Sequence, residues 1–302
     1  LESLTRIFSP KAGAANLMKI GVLGNLDGWH VLDLERACLQ LGLPLTKLDF
    51  RKLNFSLLSQ FSDSMMEPEV LLVRTMPPGS LEQVVFRMDV LHALMRKGKK
   101  VVNPPRALEA AVDKFLASEL LSHAGLQIPP TICCQDSDSA LEAFEQLGKN
   151  IILKPLFGAE GRGMFHIDQA DLAYRAFRTV ERLGGILYLQ KFIQHPGWDM
   201  RVWVLGDKVL GCMKRHAPRG EWKTNVAQGG KAELVAGDDE IMRLGVEATR
   251  AVGAQMAGVD LLLDETGKWN VIEVNAVPGW RAFAKVSGID VAKAILEYVI
   301  RN

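Results

Sequence analysis

Cysteine is scarce in this sequence, and the four that occur, Cys38, Cys133, Cys134 and Cys212, show no C-x-x-C spacing. That argues against a zinc ribbon or a dithiol redox centre and leaves small buried thiols in a reducing cytoplasm as the expectation. None of the six histidines falls in an H-E-x-x-H pattern, so zinc-protease chemistry has no support. No apolar run approaches the roughly 18 residues that a bilayer-spanning helix needs. Charge of one sign is missing as well: 36 basic against 35 acidic residues leave a net charge of +1. Such a chain has no global field with which to attract nucleic acid or an anionic membrane. Any anion it binds must be held by a local cluster of cations. Residues 1–18 are mixed in character, carry no signal-peptide core before Met18, and are expected to be a tail.

What is present is material for a large core. The chain has 302 residues, 48% hydrophobic and 24% charged, enough for about two domains at roughly 150 residues each. Strands are expected at Lys19–Leu23, Leu45–Phe50, Val70–Arg74 and Val101–Pro105, with a helix at His30–Leu41. That βαβ rhythm predicts a small parallel-sheet domain over residues 19–105. A second unit, 106–185, opens with one helix at Ala107–His123. Strand Thr131–Cys134, helix Ser137–Leu147, strand Asn150–Pro155, a short strand around Met164–Ile167 and helix Ala170–Leu183 follow. The third, 186–302, starts with strand Ile186–Phe192 and reads as antiparallel hairpins with two helices. The fold class is therefore α/β first and α+β after.

Between two of these strands lies Gly158-Ala159-Glu160-Gly161-Arg162-Gly163. Three glycines in six residues let backbone N–H groups approach an anion. Met164-Phe165 follows where a Walker loop needs Lys-Ser/Thr, and a strand follows where a dinucleotide loop needs a helix. Alone, the stretch reads equally as a bare turn. Lys154, at the end of the apolar run Ile151–Leu153, shifts the balance, because a charge there is expensive without a partner or an escape to solvent.

The most specific pattern is Asp260 with Glu273 and Asn275. Pairing Asp264 with Trp269 across a turn at Glu265–Lys268 puts Asp260 opposite Glu273, and Asn275 on the face of Glu273. Two opposed carboxylates repel unless a cation sits between them, and three hard oxygen donors suit magnesium. A solvated hairpin is the plain alternative. A second hairpin, Asp199–Leu205 and Lys208–Arg215 around Gly206-Asp207, puts Asp199, Arg201 and Trp203 on one face. Simple register sets Cys212 opposite Arg201 and Lys214 opposite Asp199; Arg215 joins that face only if a bulge intervenes. Arg201, Lys214, Arg215 and Lys223 would supply the required cationic cluster.

Taken together, Lys114, Lys154-Pro155 with the glycine loop, Asp199-x-Arg201, Lys214-Arg215, Asn225, Ala257-Gly258-Val259-Asp260 and Ile272-Glu273-Val274-Asn275-x-x-Pro278-Gly279 resemble the ATP-grasp superfamily. Within it they are similar to the RimK-like ligases, which add amino acids such as glutamate to a carboxyl group. The resemblance covers roughly residues 106–299 and implies an ATP-grasp fold preceded by a small pre-ATP-grasp domain. It implies ATP and magnesium, two ions rather than one, with manganese as a substitute. Lys114, Lys154 and the loop glycines Gly158, Gly161 and Gly163 would meet phosphates. Gln190, Lys191, Phe192 and Ile193 would present backbone to adenine, and Asp199 would face the ribose. Arg201 and Arg215 would be the catalytic cations, Lys223 and Asn225 would lie near the phosphates, and Asp260, Glu273 and Asn275 would hold metal. Two positions depart from the family pattern: Lys191 stands where an acid is common, and Lys223 where an arginine is. The implied partners are an amino-acid donor and a carboxylate acceptor, either a small molecule or a protein C-terminus, in a homo-oligomer of two or four chains. No nucleic acid or membrane is implied. Rival readings are an ATP-binding regulatory module of the same fold and a phosphotransferase; a dehydrogenase is disfavoured by the Gly21–Gly28 spacing.

Overall fold

A computed structural model describes residues 17–57, 64–158, 162–218, 220–224 and 231–302. Four parallel strands open the chain, β1 (Ile20–Leu23), β2 (Leu45–Leu48), β3 (Val70–Val73) and β4 (Lys100–Val102), in the order β2-β1-β3-β4. β1 and β3 read IGVL and VLLV because both faces are covered and neither can be polar. Helix α1 (Trp29–Leu41) closes one face with Val31, Leu34 and Cys38. Helix α2 (Leu81–Arg96) closes the other with Val90, Leu91 and Leu94. No helix is expected there from the sequence. Its apolar stripe is narrow, and Leu81, Val85 and Phe86 are exposed, which blurs the helical period. The local signal is its capping box, in which Gln83 N donates to Ser80 Oγ at 3.3 Å and Ser80 N to Gln83 Oε1 at 3.1 Å.

The single helix expected at Ala107–His123 is in fact two, α3 (Pro105–Val112) and α4 (Lys114–His123). Asp113 makes the break: its backbone is extended, and its carboxylate accepts from Phe115 N at 2.9 Å and Leu116 N at 3.1 Å. Such a cap is worth about 1 kcal/mol. A second, antiparallel sheet has the order β5-β8-β6-β7, formed by β5 (Thr131–Cys134), β6 (Ile151–Lys154), β7 (Phe165–Ile167) and β8 (Leu187–Lys191). Helices α5 (Ser137–Gln146) and α6 (Ala170–Arg182) pack on the face of Ile151, Leu153, Leu187 and Leu189. The alternate residues Ile152, Lys154, Tyr188 and Gln190 therefore face the other way.

The third sheet, β11-β10-β9-β12-β13, contains β9 (Trp198–Leu205), β10 (Lys208–His216), β11 (Lys231–Val235), β12 (Met256–Leu263) and β13 (Trp269–Asn275). Helix α7 (Asp239–Ala251) covers the face of Met200, Val202 and Val204. On the opposite face Trp203 stacks on Phe283 with ring centres 6.2 Å apart and meets Trp280 edge-on. Helices α8 (Arg281–Ser287) and α9 (Val291–Arg301) lie there, so the described residues of this last segment hold three helices rather than two. α9 packs with α1, and one core joins the parallel sheet to the third sheet. Asn103, fully buried just past β4, pins that joint. Its amide donates to Met256 O and Ala276 O at 2.6 and 2.5 Å and accepts from Gln255 N and Met256 N at 2.7 and 2.9 Å. No helix among the described residues is long and apolar enough to cross a membrane.

Candidate active site

Two β-bulges aim the polar end of the third sheet. In the β9–β10 hairpin the register shifts between Val209 and Gly211, so Arg215 rather than Lys214 stands opposite Asp199. Lys214 is thereby turned to the other face, where its ammonium lies 4.2 Å from the centre of the Trp198 ring, and it leaves the expected cationic cluster. In the β12–β13 hairpin Leu263 pairs with Trp269, one residue off the expected register near the turn. A shift between Asp260 and Leu261 then restores the pairing of Asp260 with Glu273. One extra residue on one strand is enough to change which side chains share a face.

The result is a closed, buried charge network. Arg201 Nη2 donates to Asp260 Oδ2 at 2.6 Å, and its Nε donates to Oδ1. Arg215 donates to Asp199 through Nε at 2.7 Å and Nη2 at 2.5 Å, and its Nη2 lies 2.8 Å from Asp260 Oδ2. Thr224 Oγ1 donates to Asp199 Oδ2 at 2.6 Å. Two guanidinium groups and two carboxylates balance, as buried charges must. Burial pushes the Asp260 carboxyl up, but Arg201 and Arg215 more than reverse this and hold it below the usual carboxylate range. Gly258 makes the arrangement possible: a Cβ there would sit 3.0 Å from Arg201 Cδ and Nη1.

A cleft separates this network from the second sheet. Lys154 is only 8% exposed and donates to Gln190 Oε1 at 2.6 Å, so it does not reach solvent, and it has no carboxylate partner among the described residues. Burial pulls its ammonium down to about 8, with Glu273 and Asp260 opposing the shift and Lys114 reinforcing it. Lys114, at the start of α4, donates to Gly158 O at 2.8 Å across the cleft rim; burial lowers it too, against Glu273. Gly163 holds φ 71, a left-handed value that suits glycine at the far side of the loop. Ile152, Met164, Leu262 and Ile272 give apolar walls, and Phe192 stacks on His166 with centres 4.3 Å apart.

Of the residues singled out in the sequence, Lys114, Lys154, Gly158, Gln190, Lys191, Phe192, Ile193, Asp199, Arg215, Lys223, Asp260 and Glu273 line this one cleft. Gly163 and Arg201 stand beside it, and Asn275 lies two residues beyond Glu273 on the same strand. Gly161 and Asn225 lie outside the described residues. Asp199, expected toward a ribose, is 2% exposed and spends its oxygens on Arg215 and Thr224. Sequence reasoning gave no role to His195 or Thr224, which line the cleft together with Trp222. Trp222 and Thr224 flank Lys223 in sequence, which is their positional hint; His195 has none.

The metal candidates were tested on the same geometry. Among the described residues no three His, Cys, Asp or Glu side chains could hold an ion; the donor set here is two carboxylates and an amide. Glu273 faces the cleft and makes no hydrogen bond or ion pair among the described residues, while Lys114 and Lys154 feel its charge. Asn275 Oδ1 accepts from Val277 N at 2.9 Å, which leaves one lone pair. Asp260 has both oxygens on arginines, two donors on Oδ2 and one on Oδ1, so only Oδ1 keeps a lone pair for a metal. Oxygen-only donors in this number fit a magnesium ion that draws its remaining ligands from phosphate and water.

Residues 111–299 match the model of the RimK-like ATP-grasp domain. The tetrahydromethanopterin:alpha-L-glutamate ligase of Methanosarcina acetivorans is 30% identical, over 94% of this chain and 99% of its own. A probable alpha-L-glutamate ligase of Haemophilus influenzae is 33% identical, over 71% of each chain. Among solved structures, the ATP-grasp ligase PsnB complexed with a minimal precursor superposes with a TM-score of 0.74 at 20% identity, covering 94% of this chain and 99% of its own. A RimK domain ATP-grasp protein from Sphaerobacter thermophilus superposes with a TM-score of 0.72 at 20% identity, covering 93% and 98%. The three sheets and the cleft between two of them are thus an ATP-grasp fold, and the chain belongs to the RimK-like ATP-grasp family of carboxylate–amine ligases.

Proposed function

We propose that this protein is an ATP- and magnesium-dependent ligase that joins glutamate, or a similar amino acid, to an acceptor carboxylate through an acyl phosphate. The observation that carries the reading is the opposition across one cleft of cations, buried Lys154 and half-buried Lys114 on one side and buried Arg215 on the other, with Glu273 facing the same cleft and making no hydrogen bond or ion pair among the described residues. Such a site is built for several negative charges together with a metal, and a triphosphate beside a carboxylate supplies them. The M. acetivorans relative, named for a pterin acceptor and glutamate, supports a small-molecule acceptor of pterin or deazaflavin type over a protein C-terminus or a carrier protein.

In this reading Lys114 and Lys154 neutralise phosphate oxygens under the Gly158–Gly163 loop, helped by Lys223 and Asn225. Gln190, Lys191, Phe192 and Ile193 border the adenine, while Ile152, Leu262 and Ile272 sandwich it apolarly. Asp260, Glu273 and Asn275 would hold magnesium, which when bound neutralises the terminal phosphates. The acceptor carboxylate attacks the γ-phosphorus, the bond to the bridging oxygen breaks, and ADP leaves. Arg201 and Arg215 stabilise the acyl phosphate. A neutral amine then attacks its carbonyl carbon, Arg215 steadies the oxyanion, and inorganic phosphate departs with the bonding pair and takes up the proton that the nitrogen loses. No protein nucleophile takes part. Asp199 acts through Arg215, fixing the guanidinium so that it need not reorganise during reaction.

The test is mass spectrometry of candidate acceptors incubated with ATP, magnesium and pooled amino acids, with ADP measured alongside. An amide product and ADP formation that requires both substrates are expected, and Glu273→Gln should abolish both. The second reading, an ATP-binding module without ligation, draws on the capture of Asp260 by two arginines. Tight ATP binding with no ADP across the whole screen would favour it.

A further inference from the structure

Arg74 is a buried cation that lies outside the charge network of the site. It follows β3 directly, at the carboxyl ends of the parallel strands, where open α/β sheets place their ligands. It is 4% exposed, and its Nε and Nη1 are buried with no hydrogen-bond partner among the described residues. Its one side-chain hydrogen bond among the described residues runs from Nη2 to Pro278 O at 2.7 Å, and the Trp280 ring lies 4.4 Å from its guanidinium carbon. Burial pulls it down to about 9, and no carboxylate offsets that.

The groups nearby deepen the imbalance. His30 is held neutral, accepting from Trp280 N at 3.1 Å. Asp33 is committed to Arg36 at 2.8 Å and to Trp280 Nε1 at 2.8 Å. Arg281 adds a second positive charge by the Trp29 ring. A buried guanidinium left in this state is costly to keep, and its planar fork matches a carboxylate.

The position relative to the reaction centre identifies that carboxylate. A Cβ on Gly258 would lie 3.0 Å from Arg201 Nη1 and 3.1 Å from Pro278 Cβ, so Arg201 and Pro278 border the same gap. Arg74 holds the carbonyl on the other side of Pro278. It therefore stands across Pro278 from Arg201, and it is not among the residues that line the nucleotide cleft. We propose that Arg74 forms a second anion subsite, between the parallel sheet and the Pro278–Trp280 loop, that grips a non-reacting carboxylate of the amine-donating amino acid. The proposal rests on the ligase reading above. Nε and Nη1 supply the donors, and the loop yields as the donor enters, since the subsite is enclosed.

The experiment supplies ATP, magnesium and the acceptor that the mass-spectrometric screen yields, and measures ADP formation with L-glutamate and with its two carboxamides, L-isoglutamine and L-glutamine, in the wild type and in Arg74→Met and Arg74→Lys. Arg74→Met keeps the bulk against Trp280 and removes an unpaired buried charge, so it is expected to melt no lower than the wild type. In it the KM for glutamate should rise at least tenfold, with the KM for ATP within twofold, and the preference for glutamate over the less active carboxamide should vanish. Arg74→Lys should fall between. An unchanged glutamate KM in Arg74→Met, or a wild type that accepts both carboxamides as readily as the acid, overturns the proposal. So does a fall in melting temperature with all kinetic constants intact, which marks a structural arginine. If no amino acid promotes ADP formation although ATP binds, the ligase reading has failed instead. The subsite is then judged by titrating L-glutamate into the ADP–magnesium complex: binding lost in Arg74→Met upholds it, and no binding to the wild type refutes it.

Discussion

Replacing Asp260 by asparagine would leave the Arg201–Arg215–Asp199 network with two cations and one anion, all largely buried at the cleft wall. For charges about 4 Å apart, each lost attraction is worth about 4 kcal/mol at an effective dielectric near 20, about 8 kcal/mol for two arginines. Against that, the carboxylate no longer has to be desolvated, which returns several kcal/mol, and the amide oxygen still accepts one hydrogen bond. The net expectation is a loss of about 3 kcal/mol. In urea denaturation at pH 7 the midpoint should fall without a change in slope. Asp260 has its folded-state pKa depressed, so its contribution is present above the ordinary carboxylate range and disappears as the pH falls through the lower folded value. The wild-type advantage should therefore shrink only in acid. The decisive measurement adds Arg201→Met to Asp260→Asn. Removing the surplus cation should recover about 2 kcal/mol, whereas independent effects would deepen the loss. Additivity, or a single-variant loss below about 1 kcal/mol, would refute the charge-balance account.

Asn103→Ala strips partners from four backbone groups at 2.5–2.9 Å; at about 1 kcal/mol each it should cost about 4 kcal/mol in the same assay. Gly258→Ala pushes a methyl against Arg201, which cannot yield without leaving Asp260; turnover should drop at least tenfold with ATP affinity nearly unchanged, as steady-state kinetics would show. His30 is held at about 4 by burial first, then by Arg74, with Asp33 opposing and Arg281 assisting. The unfolded histidine binds a proton below its ordinary 6.5 and the folded one does not, so stability should decline from about pH 6.5 towards 4. Allowing for solvent screening the loss is at most about 2 kcal/mol, and His30→Gln should flatten that limb of the pH–melting curve.

How much of this was legible beforehand follows from how local each cause is. Strands β1, β3, β6 and β12 announce themselves as short apolar runs, and Asp260 opposite Glu273 follows from counting across one turn. The count succeeds at that pair although the register next to the turn is off by one, because the bulge before Asp260 compensates. Bulges answer to neighbouring strands: β12 must pair with β9 on one side and β13 on the other, and no single hairpin contains that demand. The same reason hid the exchange of Lys214 for Arg215, two adjacent cations of which one packs on Trp198 and the other enters the charge network. Arg74 and Asn103 lay further from reach. Each follows a parallel strand with no recognisable motif around it, and each acquires its meaning from residues some 150 to 200 positions later, at Met256, Ala276 and Pro278. The loop following Asn275 is thus held by two side chains of the N-terminal sheet, Asn103 at Ala276 and Arg74 at Pro278. A domain that looks like an accessory in the sequence fixes, on this geometry, the backbone beside the candidate metal ligands. Substitutions on its β3 and β4 should alter catalysis before they alter nucleotide binding.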